Sequence, residues 1–271
     1  MKRVLALLVI ALVFCVVAGC SDSQASIAEW FGAADRPPAA PVTEDILCDA
    51  SSGSSCNTET LRETVDIALR KAAERPESIV RIWVQGRDIE TTRIAAEVRS
   101  GAPHGTGRRA RADYEARWVR EASASIDTRT TAALRKSARR SPIAESIGLI
   151  ALAPAVPGST REIVAITDAM EVSDFGDFEC GPLPKPERFT RLLAKNRVLP
   201  ERSLKGVAVT FCHVDLGRID RGRCPLSLLR DDQIRALWKA AFTAAGAKSV
   251  EIREGGLETL SITNLRKDTH V

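Results

Sequence analysis

The chain has 271 residues, 44% of them apolar and 27% charged, a balance that excludes a disordered or fibrous protein. Formal net charge is +4, half of it from Lys2 and Arg3, and aromatic residues make up 4%, which argues against a strongly basic nucleic-acid binder with base-stacking surfaces. Seven cysteines are too few for a disulfide-built mini-protein and many for an ordinary cytosolic domain.

Met1-Lys2-Arg3 opens the chain, and residues 4–17 are an unbroken apolar run. A run of that length falls short of the roughly 20 residues that span a bilayer. A positive start and a short apolar core predict a secretory signal over residues 1–19. Val17-Ala18-Gly19-Cys20 resembles the lipobox of bacterial lipoproteins. That resemblance implies lipidation of Cys20, with palmitate among the acyl chains, and a firm membrane anchor. Ser21 in place of Asp implies the outer membrane, facing the periplasm. The alternative is a plain signal with an incidental cysteine. Residues 20–43 read as a tether, stiffened by Arg36-Pro37-Pro38-Ala39-Ala40-Pro41. Ile27, Trp30 and Phe31 are its apolar exceptions, candidates for docking on the domain or the bilayer.

A folded domain is expected over residues 44–254, with a tail at 255–271. Residues 44–48 predict a short strand that ends at Asp49. After a Ser/Gly loop, Asn57 or Thr58 caps a helix whose Leu61, Val65, Ala68 and Leu69 share a face. Residues 78–85 and 89–98, joined through Gly86-Arg87-Asp88, predict a β-hairpin. Asp113 starts a long helix to about residue 140, and Ser141-Pro142 marks a fresh helix start. Residues 161–166 predict a central strand closing in Thr167-Asp168. Residues 171–203 read mostly as loop, with a short helix near 189–194. A strand over 206–213, a helix over 231–245 and a strand over 249–253 complete the domain.

Strands separated by helices predict an α/β fold: a doubly wound, mostly parallel sheet with one antiparallel edge hairpin and helices on both faces. Such sheets bind ligands outside the carboxyl ends of their strands. Asp49 and Asp168 end two strands that lie side by side in the usual order, so both carboxylates face one crevice. Two close carboxylates repel unless a cation sits between them, and a hard divalent cation prefers oxygen donors. Ser51 and Ser141 supply hydroxyls nearby.

The series Asp49-Ala50-Ser51-Ser52-Gly53, then Ser141, then Ile166-Thr167-Asp168-Ala169, resembles the metal-ion-dependent adhesion site of von Willebrand factor type A domains. The resemblance covers about residues 44–253. It implies a metal site of Asp49, Ser51, Ser141 and Asp168 holding Mg²⁺, or Mn²⁺ or Ca²⁺. It also implies an envelope protein partner that offers an acidic side chain, and a binding role rather than catalysis. Three departures stand out: Gly53 replaces the second serine, Ser141 replaces threonine, and Ala169 replaces glycine. The metal-free alternative has Asp49 and Ser51 capping the following helix and Asp168 ordering a turn.

In an oxidising compartment some of the five remaining cysteines should pair. Cys48 and Cys56 bracket the Asp49 loop, and Cys180 with Cys224 is the second candidate pair; Cys212, in an apolar strand, is the candidate buried thiol. Cys212 and His213 point to opposite faces of a strand, so no catalytic Cys–His pair forms there. No residue is singled out as catalytic. The preferred function is a lipid-anchored envelope binding or scaffold module. The alternative is a periplasmic metal-assisted hydrolase using Asp49 and Asp168, with Asp174 and Asp177 close in sequence.

Overall fold

A computed structural model describes residues 39–51, 54–101, 108–134, 140–214 and 229–257. The signal, Cys20 and most of the tether lie outside the described residues. Strand β1 (Val42–Cys48) is followed by helix α1 (Thr58–Ala73), β2 (Ile79–Val84), β3 (Arg93–Arg99) and α2 (Arg108–Leu134). Then come α3 (Ile143–Leu152), β4 (Thr160–Ile166), a two-residue hairpin of β5 (Val172–Ser173) and β6 (Gly176–Asp177), and α4 (Pro186–Lys195). Strand β7 (Val207–Cys212), helix α5 (Leu229–Ala244) and β8 (Ser249–Ile252) end the described chain.

Six strands form one sheet in the order β3-β2-β1-β4-β7-β8. All neighbours are parallel except β2 and β3, so the expected doubly wound sheet with an antiparallel edge hairpin is what the chain forms. Successive side chains of a strand point to opposite faces, and the core divides accordingly. Ile46, Cys48, Val164, Ile166 and Cys212 pack with Leu61, Val65 and Leu69 of α1 and Ile126 of α2. Leu47, Ile163, Ala165 and Phe211 pack on the other face with Ile143 and Ile147 of α3, Phe189 of α4 and Trp238 and Phe242 of α5.

All seven residues of β1 are buried, as befits a central strand covered on both sides. Three of them are polar, and each must find a partner. Thr43 shares a hydrogen bond with Ser159, Glu44 pairs with Lys71, and Asp45 accepts from Trp83 Nε1 at 2.9 Å and from Arg161 Nη2 at 2.8 Å. Arg161 also donates to the carbonyls of Ala151 and Ala153, which ties the end of α3 to the sheet.

Several boundaries differ from expectation. Strand β1 begins at Val42, inside the stretch read as tether, because Thr160 N donates to Pro41 O and extends the ladder. Past residue 254, Gly255 O accepts from His213 N, and Leu257 packs on the α1–α2 side. In the hairpin, β3 starts at Arg93 rather than at residue 89. Asp88 Oδ1 accepts from Thr91 N at 2.9 Å, so residues 88–91 are spent on a turn. Helix α2 begins at Arg108, five residues before Asp113, since Arg and Ala are good helix formers and nothing breaks the run. Pro142 stands at the N-cap of α3 rather than at its first helical position.

Candidate functional site

The carboxyl ends of β2, β1 and β4 are in register: Cys48 pairs with Val84 on one side and Ile166 on the other. Gln85, Asp49 and Thr167 therefore leave three adjacent strands at the same level. Asp49 is fully buried and serves as the hub. Its Oδ1 accepts from Ser51 N at 3.0 Å. Its Oδ2 accepts from Ser141 Oγ at 2.9 Å and from Thr167 Oγ1 at 2.8 Å. Burial pushes the Asp49 carboxyl above its ordinary range, against the hydrogen bonds from Ser51, Thr167 and Ser141 that favour the anion.

Ser141 reaches this hub through an isolated antiparallel bridge to Val172, with N–H···O distances of 3.1 and 3.0 Å. The short helix that follows needs a cap that Pro142 has no side chain to provide. Glu171 supplies it: its Oε2 accepts from Ala144 N at 3.0 Å. Glu171 is fully buried, and burial pushes its carboxyl up to about 8.

Asp168 lies two residues past the end of β4, is 4% exposed, and orders the next turn by accepting from Met170 N at 3.0 Å. Ala169 has φ +62°, the left-handed region that favours glycine. Its N–H donates to Thr167 Oγ1 at 3.1 Å, and its carbonyl accepts from Trp238 Nε1 at 2.9 Å. Trp238 packs against four phenylalanines, Phe178, Phe189, Phe211 and Phe242, so the aromatic core holds this turn.

Of the residues expected to form the site, Asp49, Ser51 and Ser141 share one hydrogen-bonded set. Asp168 stands beside it, just past the end of the neighbouring strand. Asn57, not Asp49 or Ser51, caps α1, through bonds from Glu59 N and Thr60 N. Gln85 and Glu171 lie outside the expected set, and Thr167 belongs to the expected Thr-Asp motif but not to the expected ligands. Thr167 was legible, since it is a hydroxyl at a strand end beside an aspartate. Gln85 and Glu171 carry no local signal, because only the sheet order brings them to the hub.

Asp174 is exposed and pairs with Arg140 at 2.7 Å, and Asp177 accepts from Glu179 N and Cys180 N. Both carboxylates are thus engaged by local partners. Among the described residues no three His, Cys, Asp or Glu side chains converge as a metal group, so the donors here are mainly hydroxyls. Cys48 and Cys56 form a disulfide that closes the Asp49 loop, with Cα atoms 5.6 Å apart. Cys180 is disulfide-bonded too, while Cys224 lies outside the described residues. Cys212 is free and buried, and burial pushes its thiol up to about 12, which leaves it inert as a nucleophile. Beside Ser141 the surface forms a cleft of about 230 Å³ lined by Arg87, Asp88, Glu90, Arg140, Glu145 and Asp174.

No protein-family model matches the chain, and no curated protein matches it. Solved structures that match include proximal thread matrix protein 1 from the mussel byssus, at 12% identity and a TM-score of 0.35. That likeness covers 83% of this chain and 46% of the mussel chain. The fold assignment rests on the sheet order and not on this likeness. No described helix is long and apolar enough to cross a membrane.

Proposed function

We propose that the chain is a lipid-anchored binding module of the bacterial envelope, similar to von Willebrand factor type A domains, that takes a protein partner at the crevice above Asp49 and Asp168. The observation that carries this reading is the convergence of Ser141 and Thr167 on one oxygen of Asp49, which joins the adjacent ends of β1 and β4 to the segment before α3. The left-handed backbone of Ala169 adds support, because the family carries glycine at that position.

The donor set fits a hard divalent cation such as Mg²⁺. Asp49, Ser51, Ser141, Thr167 and Asp168 offer only oxygen, and a hydroxyl that donates its proton to Asp49 keeps a lone pair for a cation. When bound, the cation would neutralise the carboxylates and keep one position for an acidic group of the partner. The chain's own contribution is to hold the hydroxyls in place and to keep Asp49 out of water. A hydrolase has less support, because Asp174 and Asp177 are committed to Arg140 and to a turn.

Calorimetric titration with Mg²⁺, Mn²⁺ and Ca²⁺ tests the cation. Binding that disappears in Asp49→Asn is expected; no binding, or binding unchanged by that substitution, overturns it. For the anchor, Cys20→Ala should release the protein from membranes, and continued membrane association would contradict lipidation.

A further inference from the structure

Gln85 belongs to none of the expected ligand positions, yet it is the most unusual polar group at the hub. It is 2% exposed, and its Nε2 donates to Ser141 Oγ at 3.1 Å. Its backbone N–H donates to Cys48 O at 2.9 Å, which fixes the residue beside the start of the Asp49 loop. The other half of the same amide, Oε1, is buried with no hydrogen-bond partner. A buried carbonyl left unpaired has lost its water without replacement, so a native site that keeps one needs a reason.

Simply turning the amide over does not remove the cost. With Oε1 facing Ser141, the Ser141 hydroxyl would have to choose between Gln85 and Asp49, and the bond to the buried carboxylate is the stronger one. The hydrogen-bond arithmetic of the cation-free site therefore holds Nε2 inward. In that position Nε2–H takes one of the two lone pairs of Ser141 Oγ and sets a partial positive charge beside the one left for a cation. Resting on the reading above, we propose that Gln85 is a two-position ligand of this site. Its Nε2 holds Ser141 when no cation is present. On cation binding the amide turns over, relieves Ser141 Oγ of the Nε2–H and presents Oε1 to the cation.

The turn requires only the terminal torsion of the side chain, which is broad and roughly two-fold. An amide carbonyl is an accepted oxygen ligand for hard divalent cations. No covalent bond is made or broken: the hydrogen bond from Gln85 Nε2 to Ser141 Oγ is given up and a coordination of the cation by Oε1 is gained.

The test follows the Gln85 side-chain NH₂ signals by ¹H–¹⁵N NMR on the full chain, with MgCl₂ added, together with calorimetry on Gln85→Leu and Gln85→Glu. The expected result is a Gln85 NH₂ shift that saturates with the backbone shifts of Ser51 and Asp168. Mg²⁺ should bind Gln85→Leu at least about tenfold more weakly, and Gln85→Glu, which keeps an oxygen there, should retain binding. If Ser51 and Asp168 shift but the Gln85 NH₂ does not, or if Gln85→Leu binds as tightly or more tightly, the inference fails and the binding site stands. If nothing shifts in the wild-type chain, the cation site and the inference fail together. Should Gln85→Leu not fold, the wild-type NH₂ shift alone decides.

Discussion

At the scale of single residues the site is governed by what burial does to carboxylates. Asp49 has three protein donors, so its charge is supported although its pKa is still raised. Glu171 is also favoured as an anion by Ser173, Ala144 and Ile143, but burial outweighs them. Its Oε2 holds Ala144 N, its Oε1 has no hydrogen bond of good geometry, and burial raises its carboxyl from 4.5 to about 8. Between those two values the native state binds a proton that the unfolded chain has lost. The stabilising contribution of Glu171 is thus complete below pH about 4.5 and declines as pH rises towards 8. Glu171→Gln keeps an acceptor for Ala144 and removes the titration. Denaturant midpoints measured from pH 5 to 9 should fall with pH in the wild type and stay flatter in the variant. Parallel curves would show that Glu171 does not titrate in this window.

At the scale of elements, two contacts fix how helix α3, which follows Ser141, sits on the sheet. The first is the Asp45 network beneath it. Asp45 is fully buried and neutralises Arg161, whose guanidinium also caps the carbonyl end of α3. Asp45→Asn leaves Arg161 nearly buried without its countercharge, and a loss of about 3–5 kcal/mol is expected in chemical denaturation. The exposed pair Arg70–Asp66 gives the contrast: its removal should cost about 1 kcal/mol or less. Equal effects would show that the network is not what secures the helix. The second contact is at Gly148, where an added Cβ would lie 2.2 Å from the carbonyl oxygen of Val198. Glycine to alanine in an open helix stabilises by about 1 kcal/mol. Here Gly148→Ala should destabilise, and a raised melting temperature would refute the close packing of α3 on the chain after α4.

The same elements show what a sequence reader can and cannot see. Strand β1 is legible from its apolar end and its aspartate, although Val42 and Thr43 fall in the stretch that reads as tether. Strands β4 and β7 were legible as uninterrupted apolar runs. The hairpin of β5 and β6 was not, since two-residue strands show no periodicity. The turn at residues 88–91 was missed because Ile89 looks like strand, while the Asp88–Thr91 side-chain bonds decide the backbone. Asp49, Ser51 and Ser141 were found as oxygen donors at loop starts. Gln85 and Glu171 act across gaps of 56 and 27 residues, and nothing local in the chain marks such partners.

For the whole molecule, the sheet order brings β2, β1 and β4 together and makes one buried cluster of Gln85, Asp49, Ser141 and Thr167. Helices pack on both faces of the sheet, and the carboxyl ends of its central strands carry the Asp49 hub. The aromatic core around Trp238 holds the Ala169 turn, which links packing on one face to the geometry of the crevice. The Cys48–Cys56 bridge adds a local constraint on the Asp49 loop. By the loop-entropy argument a bridge of this span contributes roughly 2 kcal/mol, so the site should loosen under reducing conditions.

The claim that this crevice binds a divalent cation is tested most directly by paramagnetic broadening with Mn²⁺. Amide signals of Ser51, Ser141 and Asp168 should broaden first, at low Mn²⁺, and excess Mg²⁺ should restore them. Broadening centred instead on Glu90 and Glu145 in the neighbouring cleft, or no selective broadening at all, would contradict the account.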